Sequence, residues 1–271
     1  GGKQVWRDHY VHGGWRVFIY LPTWTIAACG LILVFGHNLL DPLAQQPWGS
    51  NLLWKLIHVN GYVPTRPIAT IVAYPLIPWP GVMMLGYCFG RILQFPIQNR
   101  NRACVAIGVV SILIFLALRC TNAYGDSNHW EVQESGRLFH LWSFLNTTKY
   151  PPSLLFLLMT LGPAILILPI LDRLPDRLAG WLETFGRVPF FYYILHWFLI
   201  RTVSWIWIKW QFDSTQNLIF TSPNTWPEAY EPNLGRVYLA WLVLIVVLYP
   251  VCRWYAGFKS QHRHWQALSY L

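Results

Sequence analysis

Charge is what this sequence has least of. Only 11% of its 271 residues are Asp, Glu, Lys or Arg, where ordinary soluble domains carry about 25%. So few charges cannot cover the surface of a soluble domain of this size. Cysteine is sparse as well: Cys29, Cys88, Cys104, Cys120 and Cys252 are an odd number, contain no CxxC, and all lie in or at the ends of apolar runs. That pattern argues against a disulfide scaffold or a metal site and reads as small buried hydrophobes. There is no internal repeat and no low-complexity tract. No basic helix, zinc finger or aromatic RNA-binding motif accompanies the net charge of +9, so nucleic acid is not the expected partner. No signal peptide is visible, and the first residue is Gly.

What is present in quantity is apolar and aromatic: 55% hydrophobic residues and 17 Trp, with a mean hydropathy of +0.34. That composition excludes disorder and leaves an integral membrane protein, with the lipid bilayer as its surroundings. The expected fold class is all-α, a polytopic transmembrane helix bundle of about six spans. A helix needs about 20 apolar residues to cross the hydrocarbon core. The candidates are Val17–Leu40, Ile68–Gly90, Ala103–Leu118, Tyr150–Leu171, Val188–Ile208 and Val237–Cys252. Residues 17–256 then form one membrane domain, between an N-terminal segment 1–16 and a basic tail 257–271.

Basic residues set the orientation. With both termini cytoplasmic, the short inner segments hold Lys3, Arg7, Arg16, Arg91, Arg100, Arg102, Arg173, Arg177, Arg187, Arg253, Lys259 and Arg263. The longer outer loops hold most of the acids: Asp41, Asp126, Glu131, Glu134, Asp213, Glu228 and Glu231. Trp48, Trp54, Trp205, Trp207 and Trp210 collect near span ends, as interfacial anchors do.

Polar groups at membrane depth need a reason, and five clusters stand out. His37, Asn38 and Asp41 lie where the first span meets the outside; they either bind a sugar and orient a carboxylate, or satisfy the last carbonyls of a helix. Pro75, Pro78 and Pro80 cannot sit in an unbroken helix, so the second span kinks or unwinds, against a cavity or for packing. Arg119, Asn122, Tyr124 and Asp126 end the third span, with Arg119 and Asp126 placed to pair. Lys149 and Ser153 open the fourth span, whose helix start suits an anionic group or is an ordinary cap beside a snorkelling lysine. Tyr192 and His196 share a helix face, with Tyr193 and Arg201 nearby. His196 is a proton carrier or an interhelical contact. His262 and His264 make an HxH in the tail, too few ligands for a closed metal site, and no metal is expected.

The strings GHNLLD (36–41), YPLIPWPGVMMLGYCFG (74–90), LRCTNAYGD (118–126), SFLNTTKYPPSLLFLLMTLGP (143–163) and FGRVPFFYYILH (185–196) together resemble the membrane acyltransferases related to heparan-alpha-glucosaminide N-acetyltransferase, in particular a bacterial branch. The resemblance runs over Leu21–Arg201. It implies transfer of an acetyl or other acyl group from cytosolic acetyl-CoA, or another acyl-CoA, to a sugar or amino-sugar acceptor across a bacterial inner membrane, with a homo-oligomer left open. It also implies further helices upstream of Leu21, which hold the histidine used by characterised relatives; residues 1–20 do not read as those helices, and the chain is expected to be the C-terminal portion of a longer protein or a truncated relative. His196 corresponds to the histidine ending the late FGxxP…H pattern, and Pro80 stands where the pattern has an aliphatic residue. On this reading His196 and Tyr192 handle the acceptor's proton and Lys149 steadies negative charge. His37, Asn38, Asp41, Arg119, Asn122, Asp126 and Ser153 face the substrate, and Arg187 meets a CoA phosphate. The rival is a proton-coupled transporter or a non-catalytic membrane partner, since a broken helix and buried ionisable groups suit those too.

Overall fold

The computed structural model describes residues 21–46, 49, 51–64, 70–134, 136–214, 226–262 and 265. It divides into two compact units, residues 1–172 and 173–271. The architecture is almost entirely helical, and among the described residues four helices are long and apolar enough to cross a membrane.

In the first unit α1 spans Thr23–Gly36 and runs on as a 3-10 helix over His37–Gln45. A short α2 (Leu52–Ile57) leads to an antiparallel hairpin, β1 (Gly61–Val63) and β2 (Thr70–Val72), paired Gly61 to Val72 and Val63 to Thr70. Then come α3 (Trp79–Ile92), α4 (Ile97–Thr121), α5 (Arg137–Leu145) and α6 (Leu154–Leu171). At 1.5 Å per residue, α4 is about 38 Å long and α6 about 27 Å, against a hydrocarbon core of about 30 Å.

The second expected span departs most from the sequence reading. Its upstream half is not a kinked helix. It is strand β2 and a turn, and the helix begins only at Trp79. Prolines 75 and 78 explain the length: each lacks an N–H and disfavours the α region for the residue before it, whereas Pro80 sits in the first turn of the helix, where proline is tolerated. The surviving α3 has 14 residues, about 21 Å, too short to cross unaided. The segment before it is held instead by Leu76 and Ile77, whose N–H groups donate to the carbonyls of Leu56 and Ile57 at 2.8 and 2.9 Å.

Helices in this unit pair at glycines. A Cβ on Gly81 of α3 would lie 2.7 Å from Leu33 Cβ of α1. A Cβ on Gly108 of α4 would lie 2.7 Å from Leu166 Cβ and 2.9 Å from the Gly162 carbonyl of α6. Small residues that let backbones approach are the usual device for helix association in lipid, where burying apolar area drives nothing. The core of the unit joins Val34, Phe115, Leu154, Leu155, Leu157 and Leu158 from α1, α4 and α6. Val105, Val109, Val110, Leu113 and Leu116 of α4 face outward, an apolar surface that only lipid or another helix can accommodate.

The second unit comprises α7 (Asp176–Arg187), α8 (Pro189–Phe212) and α9 (Leu234–Gln261). Helix α9 packs on α8 and α7 through aromatic stacks, Phe191 on Tyr255 and Trp181 on Tyr249, each with centroids 4.0 Å apart. Its outward face is a continuous run of exposed Val, Leu and Trp. Helix α8 has 24 residues, long enough to span, but Arg201, Lys209 and its many Trp and Tyr lower its apolar character. Residues 1–20, Trp48, Arg263, His264 and residues 266–271 fall outside the described residues.

Candidate functional site

The polar residues of the first unit converge at one end of its helices. The turn after α1, the loop after α4 and the start of α6 meet there, and a buried network joins them. His37, Asn38, His58, Arg119, Asp126 and Ser153 are all buried.

The continuation of α1 as a 3-10 helix places three side chains inward. His37 Nδ1 lies 2.9 Å from the Val34 carbonyl and Nε2 lies 3.0 Å from the Pro152 carbonyl. Both neighbours are acceptors, and a neutral imidazole can donate to only one of them. Asn38 Nδ2 donates to Asp41 Oδ2 at 2.8 Å, while Asn38 Oδ1 accepts from the Leu154 N–H at 2.9 Å. Its amide therefore clamps α1 to the first residue of α6. The other oxygen of Asp41 accepts from His58 Nε2 at 2.8 Å. His58 caps the C-terminal end of α2 and is 1% exposed; its Nδ1 is buried with no hydrogen-bond partner.

The loop after α4 supplies the second half. Helix α4 ends at Asn122 in the left-handed region, φ 50°, and Asn122 exchanges side-chain hydrogen bonds with the backbone of Trp130. Tyr124 donates its hydroxyl to the Phe35 carbonyl. Burial, with Asp41 adding to it, holds that phenol above its ordinary pKa, so it stays a donor. Asp126 accepts four hydrogen bonds: from Asn128 N and Thr148 N at 2.8 Å, from Thr148 Oγ1 at 2.6 Å and from Ser153 Oγ at 2.8 Å.

Two expectations from the sequence change here. Arg119 does not pair directly with Asp126. Its guanidinium, fully buried, donates to the carbonyls of Phe144, Asn128, Ser143 and Asn146 at 2.8, 2.6, 3.0 and 2.9 Å. Three of those carbonyls close α5, where a cation complements the helix terminus. The start of α6 is likewise already engaged. Leu154 N–H goes to Asn38, Leu155 N–H to the Gly125 carbonyl at 3.1 Å, and Phe156 N–H to Ser153 Oγ at 3.0 Å. The N–H groups that would hold a substrate anion are occupied by the protein's own oxygens, and Ser153 serves as the N-cap. Lys149 sits outside this network, exposed, with Nζ 5.1 Å from the Tyr150 ring. That ring meets Tyr74 edge-on.

The second unit carries the other nominated residues. Tyr192 and His196 stack with centroids 5.1 Å apart and 8° between planes. His196 Nδ1 donates to the Tyr192 carbonyl at 3.1 Å, which leaves Nε2 as the nitrogen with an open role. Arg201 lies over Trp197, 5.5 Å from its centroid. Arg187 pairs with Glu183 at 2.8 Å, both side chains exposed, and its carbonyl accepts from Lys259. His262 is bound to the Phe258 carbonyl and packed on its ring. No group of three or more metal-ligating side chains occurs among the described residues.

The sequence pattern does not single out His58. It stands seventeen positions from Asp41, in a loop with no recognisable spacing, and only the fold brings the pair together. Thr148 and Asn128 join the network in the same way. Composition would have flagged one thing: a lone His after a hexamer that is apolar but for Lys55, in a chain where buried polar groups must find partners.

Residues 15–120 match the family model described as heparan-alpha-glucosaminide N-acetyltransferase, catalytic. No curated protein and no solved structure matches the chain. The matched stretch holds His37, Asn38, Asp41, His58 and Arg119 and ends before Asp126, Lys149 and Ser153, so it contributes the greater part of the buried network but not its Asp126 and Ser153. Lys149 through His196, within the wider Leu21–Arg201 resemblance, lie beyond it.

Proposed function

We propose that this chain is a membrane-embedded acyltransferase-like protein that moves an acetyl or other acyl group from an acyl-CoA to a sugar or amino-sugar acceptor. The similarity of residues 15–120 to the acyltransferase catalytic region supports the reading most directly. The buried network at one end of α1, α4 and α6 supports it independently. It concentrates histidine, carboxylate and amide groups where ionisable side chains are costly and therefore functional by default.

The acceptor side is the network of His37, Asn38 and Asp41, the part whose polar atoms are not wholly consumed in closing helices. Arg119, Asn122, Asp126 and Ser153 hold that wall in place. On the donor side Arg187 is the cation offered to a CoA phosphate. Within the second unit, the stacked pair Tyr192 and His196 is the proton-relay candidate that the resemblance nominates, with Nε2 of the histidine open. Within the first unit, Lys149 is the cation offered to negative charge on the transferred group. A bacterial inner membrane with both termini in the cytoplasm is the proposed setting.

Incubation of the purified chain, and of the chain together with its native upstream sequence, with radiolabelled acetyl-CoA and glucosamine tests this. Labelled glucosamine or labelled protein supports an acyltransferase. Neither, together with proton-dependent uptake into proteoliposomes, identifies the transporter instead. Acetyl-CoA binding that survives Arg187→Ala unchanged removes Arg187 from the donor site.

A further inference from the structure

We propose that Asp41 and His58 form the proton-accepting pair for the acyl acceptor, with His58 Nδ1 as the basic nitrogen. The inference rests on the acyltransferase reading above and adds to it a residue that the sequence pattern does not indicate.

The geometry assigns the tautomer. An ionised carboxylate can only accept, so the 2.8 Å contact between Asp41 Oδ1 and His58 Nε2 puts the ring proton on Nε2. The lone pair is then on Nδ1, the nitrogen that is buried and without a hydrogen-bond partner. Asn38 fixes the other end by donating to Asp41 Oδ2. An amide, a carboxylate and an imidazole thus stand in line, with the last nitrogen open. This is the arrangement that orients a histidine base in hydrolytic triads. A buried polar atom left unpaired is costly, and a fold retains such a cost most readily at a functional site.

Two rings face the imidazole among the described residues. His37 meets it edge-on, 6.2 Å between centroids, with both of its own nitrogens against carbonyls. Trp54 lies 5.5 Å away, half-buried, on the six-residue helix α2. His58 is enclosed, so the acceptor reaches Nδ1 by displacing a neighbour.

In the step, the acceptor's hydroxyl or neutral amine attacks the thioester carbonyl carbon of the acyl-CoA. Its proton passes to Nδ1 as the new C–O or C–N bond forms. The C–S bond breaks, and the leaving thiolate takes the proton back from Nδ1. The products are the acylated acceptor and CoA thiol, with His58 restored. His58 is the catalytic residue of this pair, and Asp41 a positioning residue.

The test uses the full chain with its upstream sequence in lipid nanodiscs, labelled with ¹⁵N-histidine. The expected spectrum, assigned by its loss in His58→Gln, shows His58 protonated on Nε2 and bare on Nδ1; a proton on Nδ1 overturns the proposal whatever the activity. In parallel, transfer from labelled acetyl-CoA to glucosamine is measured. His58→Gln should lower kcat by about 100-fold or more, with an unchanged thermal midpoint, and His58→Ala should regain part of it when imidazole is added. Asp41→Asn should lower kcat by a larger factor than it raises KM for glucosamine. An active wild type whose rate survives His58→Gln refutes the pair, whereas an inactive wild type with the expected tautomer refutes the acyltransferase reading that the pair depends on.

Discussion

Ser153 donates its hydroxyl proton to Asp126 at 2.8 Å and, through the same oxygen, accepts the N–H of Phe156 at 3.0 Å. The loop carboxylate is thereby coupled to the first turn of α6, and the cap is held by a partner outside the helix. Asp126→Ala leaves Thr148, Ser153 and the Asn128 N–H without their acceptor. Ser153→Ala removes the cap, worth about 1 kcal/mol, and only one of the four donors to Asp126. Hydrogen bonds to a charged group are each worth about 1.5–3 kcal/mol, so Asp126→Ala should cost at least about 3 kcal/mol. Thermal midpoints in detergent should rank wild type above Ser153→Ala and that above Asp126→Ala; the reverse order for the two variants would show that Asp126 does not anchor the cap.

Arg119 donates to four carbonyls at once, a task that needs a planar fork. Lysine has three donors on one nitrogen and cannot reach carbonyls on opposite sides of a guanidinium. Arg119→Lys should therefore destabilise by about 2 kcal/mol or more, and the acceptor KM should move little, because the donors close α5 and its loop. A preserved thermal midpoint with a raised KM would instead place Arg119 at the substrate.

Gly108 and Gly162 let α4 and α6 touch backbone to backbone. Alanine at Gly108 would put a methyl 2.7 Å from Leu166 Cβ, with no flexible side-chain end to move aside. Overpacking of this kind costs about 1–3 kcal/mol, more than the helix-propensity gain of about 1 kcal/mol. Gly86 in α3 has nothing within 4 Å of its would-be Cβ, so Gly86→Ala should be neutral or stabilising by about 0.5–1 kcal/mol. Opposite signs for these two substitutions, read as shifts in thermal midpoint, are the expected result.

The helices were legible because their signals are local. Apolar runs marked where α1, α4, α6, α8 and α9 would lie, and Pro75, Pro78 and Pro80 marked a break. Proline chemistry says that a helix must fail there. It does not say that the upstream piece would pair as a hairpin, since that depends on Gly61–Val63, a partner reached only through the fold. The site was half legible. His37, Asn38, Asp41, Asp126 and Ser153 were each visible as polar residues at span ends. That Ser153, Asn38 and Gly125 would together fill the start of α6 was not, because two of the three acceptors come from distant segments. His58 shows the same limit most sharply: one residue in an unpatterned loop, given meaning only by Asp41.

Asn38 offers the clearest separation of scaffold from chemistry. Its Oδ1 accepts from Leu154 N–H and its Nδ2 donates to Asp41, so both ends of the amide are assigned. Asn38→Asp keeps the first contact and sets a carboxylate against Asp41 across 2.8 Å, replacing an attraction with a like-charge clash. A loss of about 1–3 kcal/mol is expected. Adding Asp41→Asn to it restores complementarity. The amide introduced by Asp41→Asn can donate back to the carboxylate introduced by Asn38→Asp, and its oxygen can still accept from His58 Nε2. Residues in one hydrogen-bonded network couple in this way, and a double-mutant cycle measures it. The double variant should regain most of the lost thermal midpoint. It should not regain acyl transfer, because His58 then faces a neutral amide in place of the carboxylate that stabilises an imidazolium. Recovery of both together would mean that Asp41 acts only as part of the scaffold.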